Sequence, residues 1–251
     1  MPTNTERFSD RVENYVKYRP GYPPEVLNFL RGELNLQPAS VVADIGSGTG
    51  ISAKLFLENG NAVFGVEPNA AMRRAAEEFL KDFPNFKSID GTAENTNLED
   101  ESVDFVVAAQ AFHWFDAAKT RGEFKRILKK DGSVVLMWNE RQLDSTEFLR
   151  AYERLVLEFG TDYKEVRHEK VTAEIIGDFF QTEFKKKVFQ NHQILDFDGL
   201  KGRILSSSYI PSEDNPRYGE MIKNLESLFT EHQKNDTIQI SYDTNIYYGH
   251  F

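Results

Sequence analysis

The sequence predicts a doubly wound α/β fold: a seven-stranded sheet, mostly parallel, with an antiparallel C-terminal strand pair and helices on both faces. Three observations carry this. Residues 41–139 alternate short apolar runs with amphipathic stretches, the pattern of strand–helix units around a parallel sheet. A glycine-rich turn, Gly46-Ser47-Gly48-Thr49-Gly50, joins the first run to the first helix. The tail carries two strand-like stretches, Phe184–Leu195 and 237–248, with helical sequence between them. Right-handed crossovers wind such a chain on both sides of the sheet. Ligands of such sheets sit at the carboxyl ends of the strands, so chemistry is expected in the loops that begin at Gly46, Glu67, Asp90 and Gln110.

Each element has its own signal. Val41–Ile45 is an apolar run of buried-strand type. Ile51–Glu58 reads as a helix stopped by Asn59-Gly60. Ala62–Val66 is the second strand, ended by Pro68. Asn69 then caps a helix with Met72, Ala75, Ala76, Phe79, Leu80 and Phe83 at helical spacing, stopped by Pro84. Phe86–Ile89 is the third strand, and 103–108 the fourth. A helix is expected over 117–130, with Asp131-Gly132 as its stop, and a fifth strand over 134–138. Beyond it, 145–159 and 216–233 look helical. The expected organisation is an N-terminal cap over 1–40, a core over 41–140, and a part 141–251 that completes the sheet. Helices inserted at about 198–234 shape an acceptor site, all within one structural domain.

Composition narrows the function. The chain has 251 residues, 40% of them hydrophobic, including 20 Phe, 10 Tyr and 2 Trp, so it can bury a real core. It has no cysteine, which excludes disulfides, thiolate metal sites and a thiol nucleophile. Against 40 Asp+Glu there are 30 Lys+Arg, a net charge of −10 that disfavours polyanion binding. The one basic run, Lys185-Lys186-Lys187, lies in a strand-like segment and reads as a solvated edge. No apolar run is long enough to span a bilayer. The N-terminus lacks the apolar stretch of a signal peptide, so a cytoplasmic protein is expected.

Asp44 stands two residues before Gly46, and glycines follow at 48 and 50. The dinucleotide fingerprint wants its third glycine one place later, where this chain has Ile51. The D-x-G-x-G-x-G pattern resembles the class I S-adenosylmethionine-dependent methyltransferases, over roughly residues 8–141. The resemblance implies a Rossmann-like core and S-adenosylmethionine as cofactor. Gly46, Ser47, Gly48 and Gly50 would cradle its methionine and ribose parts, and Asp44 would help hold the amino-acid end. Glu67, beside Pro68, would accept hydrogen bonds from both ribose hydroxyls. Asp90 would face the adenine amino group, with Ala93 or Glu94 along the ring.

The loop from Gln110 to Asp116 would face the transferable methyl. His113 in it is either a general base or a packing residue. The segment Arg19-Pro20-Gly21-Tyr22-Pro23 resembles a cofactor-covering element. There Arg19 would pair with the methionine carboxylate, and Tyr22 or Tyr15 would shield the methyl. Trp138-Asn139-Glu140-Arg141 resembles a subset of these enzymes and puts Asn139 and Arg141 beside the acceptor. Phe112, Trp114, Phe115 and Tyr22 would form a dry wall.

The expected activity is methyl transfer to an O, N or C nucleophile of a small molecule, a carboxylate included. No metal, nucleic acid or membrane is expected to take part, and the protein would be a monomer or homodimer. A nicotinamide-dependent oxidoreductase and a non-catalytic S-adenosylmethionine-binding protein are the competing readings.

Overall fold

The computed structural model describes residues 12–163 and 172–251; the first part of the expected cap, 1–11, lies outside them. The strands are Val41–Ile45 (β1), Ala62–Val66 (β2), Phe86–Ile89 (β3), Val103–Ala109 (β4), Leu128–Arg141 (β5), Phe184–Leu195 (β6) and Ile238–Gly249 (β7). They form one sheet in the order β3-β2-β1-β4-β5-β7-β6. β1 to β5 pair in parallel, and β7 lies antiparallel between β5 and β6. The strand order reverses between β1 and β4, which opens a crevice at their carboxyl ends.

The helices are Val12–Tyr18 (α1), Pro24–Glu33 (α2), Ile51–Glu58 (α3), Ala70–Phe79 (α4), Ala117–Ile127 (α5), Glu147–Phe159 (α6), Ala173–Phe180 (α7), Phe197–Leu205 (α8) and Tyr218–His232 (α9). A single 3₁₀ turn spans Phe112–Trp114. The central strands are apolar almost throughout because both faces are covered. On one face Val26, Leu30, Phe56 and Leu57 of α2 and α3 pack on Val42, Val63, Val107 and Val135. On the other, Phe124, Ile127, Ile176, Phe179 and Phe180 of α5 and α7 pack on Ala43, Val106, Val134 and Leu136. A third apolar cluster joins α6, α8 and α9 to Ile238, Ile240 and Tyr242 at the start of β7. The inserted helices thus have a core of their own at one end of the sheet.

Three elements differ from the sequence reading, the first being β5, which spans Leu128–Arg141 where the sequence predicts 134–138. α5 ends at Ile127, before the expected 130. Leu128 is already extended and pairs with Val103, while Phe105 pairs with Ser133, so Asp131-Gly132 sits in a bulge and not at a helix end. A β-carbon on Gly132 would meet the Lys129 carbonyl at 3.0 Å, so the bulge closes tightly there. α7 has no counterpart in the sequence reading. It is eight residues long and capped by Thr172, too short for helical spacing to stand out.

The basic run lies on β6, at the edge of the sheet. Lys185 pairs with Glu33 at 2.7 Å, and Lys186 lies over the Tyr247 ring. Lysines on an edge strand block sheet-to-sheet pairing. Among the described residues no helix is long and apolar enough to cross a membrane.

Candidate cofactor site

The loops after β1, β2, β3 and β4 converge on one cavity of about 230 Å³. Its floor is the β1–α3 turn, where Gly46, Gly48 and Gly50 all have positive φ. The three glycines do different work. A β-carbon at Gly46 would strike Ala111 at 2.6 Å, and one at Gly50 would strike Leu80 at 2.6 Å; both positions are set by packing within the protein. At Gly48 a β-carbon would meet nothing within 4 Å. Gly48 therefore keeps space open on the cavity side, as a backbone that a ligand approaches closely must. Gly50 does not line the cavity. It corrects the sequence reading by holding the start of α3 against Leu80 and not a ligand.

Glu67 faces this turn from the end of β2. One carboxylate oxygen accepts from the Gly48 amide at 3.0 Å and the other from the Asn69 amide at 2.8 Å. Burial raises its pKa; the two amide bonds and the Arg73 charge oppose that rise. A carboxylate has about four acceptor positions, so two remain for a ligand. Arg73 donates to the Glu67 and Pro68 carbonyls and fixes the turn.

Asp44 lies beneath the turn, fully buried and outside the cavity lining. It accepts from the Ser52 hydroxyl at 2.6 Å, and its second oxygen has no hydrogen-bond partner. Burial pushes its pKa up to about 7, with the Glu67 charge adding to the rise.

The roof is the N-terminal segment. Tyr15, Arg19, Pro20 and Tyr22 all line the cavity, and α1 packs between α4 and α8. The Gly21 carbonyl accepts from Asn139 Nδ2 at 3.1 Å and from Asn191 Nδ2 at 2.9 Å. Asn139 also accepts from Thr244 and has only 5% of its surface exposed. Asn139 is thus the anchor of the roof, where the sequence reading put it beside the acceptor. Burial, and then the charges of Tyr15 and Asp44, hold the Tyr22 hydroxyl well above its ordinary pKa, so it stays protonated.

Gly46, Ser47, Pro68, Ala93, Glu94, Gln110, Trp114 and Phe115 complete the expected lining. Gln110 adopts a left-handed backbone (φ 59) and donates through Nε2 to the Asn139 carbonyl. Such a conformation in a non-glycine residue is costly and clusters at functional sites.

Besides Asp44, Gly50 and Asn139, four more expected residues lie elsewhere. Asp90 is exposed and pairs with Arg73 at 2.9 Å, while Thr92 takes the place at the wall. His113 sits on the 3₁₀ turn, its ring 4.7 Å from that of Trp114, and does not line the cavity. Arg141 turns toward α6, where it pairs with Glu153 and stacks over Tyr152. Phe112 belongs to the core, against Trp138 and Phe179. The sequence reading missed Ser52, Asn69, Met72 and Thr92 on the wall. Ser52, Asn69 and Met72 lie in the first turns of α3 and α4, which the strand-end rule brings to the same edge. Among the described residues no cluster of His, Cys, Asp and Glu suits a metal ion.

A sheet of this order, with its glycine turn after β1 and its carboxylate after β2, defines the Rossmann-like α/β enzymes that bind a nucleoside cofactor at the carboxyl edge. The family model described as a methyltransferase domain matches residues 43–136. An uncharacterized methyltransferase of Geobacillus is 32% identical, over 59% of this chain and 69% of its own. The chain belongs to the class I S-adenosylmethionine-dependent methyltransferases. An uncharacterized methyltransferase of Schizosaccharomyces pombe is similar along nearly the whole length, 27% identical over 96% of this chain and 95% of its own. The fold is shared with a protein of Anaeromyxobacter dehalogenans described as a candidate type II methyltransferase. The TM-score is 0.68 at 20% identity, over 92% of this chain and 97% of that one.

Proposed function

We propose that the cavity holds S-adenosylmethionine and that the protein transfers its methyl group to an O, N or C nucleophile of a small molecule. One observation carries the reading. The Glu67 carboxylate is held by the Gly48 amide at 3.0 Å, and beside that bond the Gly48 backbone leaves open space that a side chain at 48 would fill. The residues present suit the cofactor. Glu67 has acceptor positions left for a ribose diol, Thr92, Ala93 and Glu94 on the wall suit the base, and Arg19 on the same wall offers a positive charge for the methionine carboxylate. When bound, the cofactor supplies an electrophilic methyl on a positive sulfur, for in-line displacement by the acceptor.

The protein's own part is positioning and exclusion of water. Tyr15, Tyr22, Trp114 and Phe115 line the chamber together with the glycine turn. Protonated Tyr22 presents a neutral wall. His113 gains no support as a base from its placement, which suits an acceptor that needs no proton removed.

Calorimetry with S-adenosylhomocysteine tests this. Glu67→Ala is expected to weaken binding ten- to a hundredfold, since bonds to a charged group contribute roughly 1.5–3 kcal/mol. Glu67→Gln, which keeps the shape, should recover part of the loss. NAD should not bind. Unchanged affinity in Glu67→Ala would remove the assignment.

The roof makes a second expectation. Amide hydrogen exchange over residues 15–23 should slow on binding of S-adenosylhomocysteine, because the segment closes over the chamber. Equal exchange with and without ligand would reduce Arg19 to a structural residue.

A further inference from the structure

The roof rests on the inserted helices, and one turn of α8 makes its seat. α8 holds two glycines in nine residues, Gly199 and Gly202. Glycine inside a helix weakens it relative to alanine, so each needs a reason. The Gly199 amide donates to the capping Asp196 at 2.7 Å, and a β-carbon there would crowd that carboxylate at 3.1 Å. At Gly202 the neighbour is distant in sequence. A β-carbon on it would fall inside the ring of Tyr18, against Cδ2 and Cε2, and even Cγ would stand only 2.7 Å away. Gly202 is therefore a socket, and the last residue of α1 fills it.

The same stretch of α8 also holds the backbone and the neighbour of Tyr18. Arg203 Nε donates to the Tyr242 hydroxyl at 3.2 Å, that hydroxyl donates to Gln193 at 2.7 Å, and Gln193 Nε2 donates to the Tyr18 carbonyl at 3.0 Å. The buried Arg203 guanidinium thus heads a relay that ends on the roof. One turn on, the Ser206 carbonyl at the carboxyl end of α8 accepts from Arg19 at 2.9 Å. Tyr18 does not line the cavity, but Tyr15, one turn before it, and Arg19, next to it, both do. Moving the Tyr18 ring therefore moves two walls of the cavity.

We propose that Gly202 is a positioning residue for the cofactor: by taking the Tyr18 ring into α8, it holds Tyr15 and Arg19 in place on the cavity. The proposal rests on the reading of that cavity as the S-adenosylmethionine site. α8 shares its apolar cluster with α6 and α9, so retention of the cofactor depends on helices that lie outside the parallel core. Alanine at 202 keeps the helix and removes only the socket. The ring must then leave, because overpacking at this range forces side chains and backbone to shift, and the roof stands open for part of the time. A roof closed for about a tenth of the time lowers the apparent affinity about tenfold.

The test uses the full chain and S-adenosylhomocysteine. By calorimetry, Gly202→Ala is expected to weaken binding about tenfold. In the ligand-free variant, amide exchange over residues 15–23 should speed up while exchange over β1, β4 and β5 stays parental. Tyr18→Ala should weaken binding too, and in its background Gly202→Ala should cost less than about twofold more, because the ring it displaces has gone. Parental affinity in Gly202→Ala overturns the proposal. So does a loss of the same size with and without the Tyr18 ring, since the effect would then not pass through it. Should Gly202→Ala also loosen the core strands, the double variant decides. Removing the ring must then restore parental exchange in the core, and a double variant as loose as Gly202→Ala overturns the proposal. If the parent itself fails to bind S-adenosylhomocysteine, the cofactor reading falls. Ligand-free exchange over 15–23 is read separately, and no change there in Gly202→Ala sinks the seat alone.

Discussion

Gly50→Val is expected to destabilise the protein by about 3–5 kcal/mol, whereas Gly48→Val should leave it folded and abolish cofactor binding. At Gly50 the backbone has φ +84, and a β-carbon would lie 2.6 Å from Leu80. Left-handed backbone in a β-branched residue costs roughly 1–3 kcal/mol, and overpacking adds a similar amount. At Gly48 the valine pays the backbone term alone, because nothing lies within 4 Å of its β-carbon. Its methyl groups then occupy the space into which the ribose must come. Urea denaturation reads the first effect and calorimetry with S-adenosylhomocysteine the second. Near-parental stability in Gly50→Val, or near-parental affinity in Gly48→Val, would reverse the division of labour within the turn.

Asp44→Asn should stabilise the protein, and more so as pH rises from 4 to 7. Burial holds the Asp44 proton in the folded state, with a pKa of about 7 against 3.8 for the ordinary group. The folded protein thus binds this proton more tightly than the unfolded chain. The stabilisation is complete below about pH 4 and is lost as pH climbs through 7. At 1.36 kcal/mol for each tenfold change in proton affinity, the full loss is at most about 4 kcal/mol. Asparagine stays neutral and escapes it, and its carbonyl still accepts from Ser52. Glu67, the nearest carboxylate, stays in place in both proteins, so it largely cancels in the comparison. Urea unfolding of both proteins at pH 5, 7 and 8.5 should show the gap widening; a constant gap would mean that Asp44 ionises as freely as a surface acid.

The parallel half of the fold was legible because its strands are continuous apolar runs punctuated by glycine and proline. β1, β2 and β3 match their expected limits. The helix end at Ile127 was not legible, since Leu128 is drawn into the sheet by pairing with a distant strand. In the site, the strand-end rule placed Gly46, Glu67 and Gln110 on the cavity. It could not separate residues that face the cavity from those one turn behind it, and so misplaced Asp90 and His113.

The roof has a consequence for how the molecule is made. Tyr18, Arg19 and Gly21 are synthesised well before the residues that hold them by long-range bonds. Asn139, Asn191, Gln193 and Ser206 hold Gly21, Tyr18 and Arg19 across separations of 118 to 187 residues. At roughly 5–20 residues per second, about ten to forty seconds pass between synthesis of Arg19 and synthesis of Ser206. During that interval β1 to β4 can already pair, but the nucleotide edge stands open to water. Translation stalled before Asn191 would therefore give a folded half-sheet that a nucleoside cannot be sealed into.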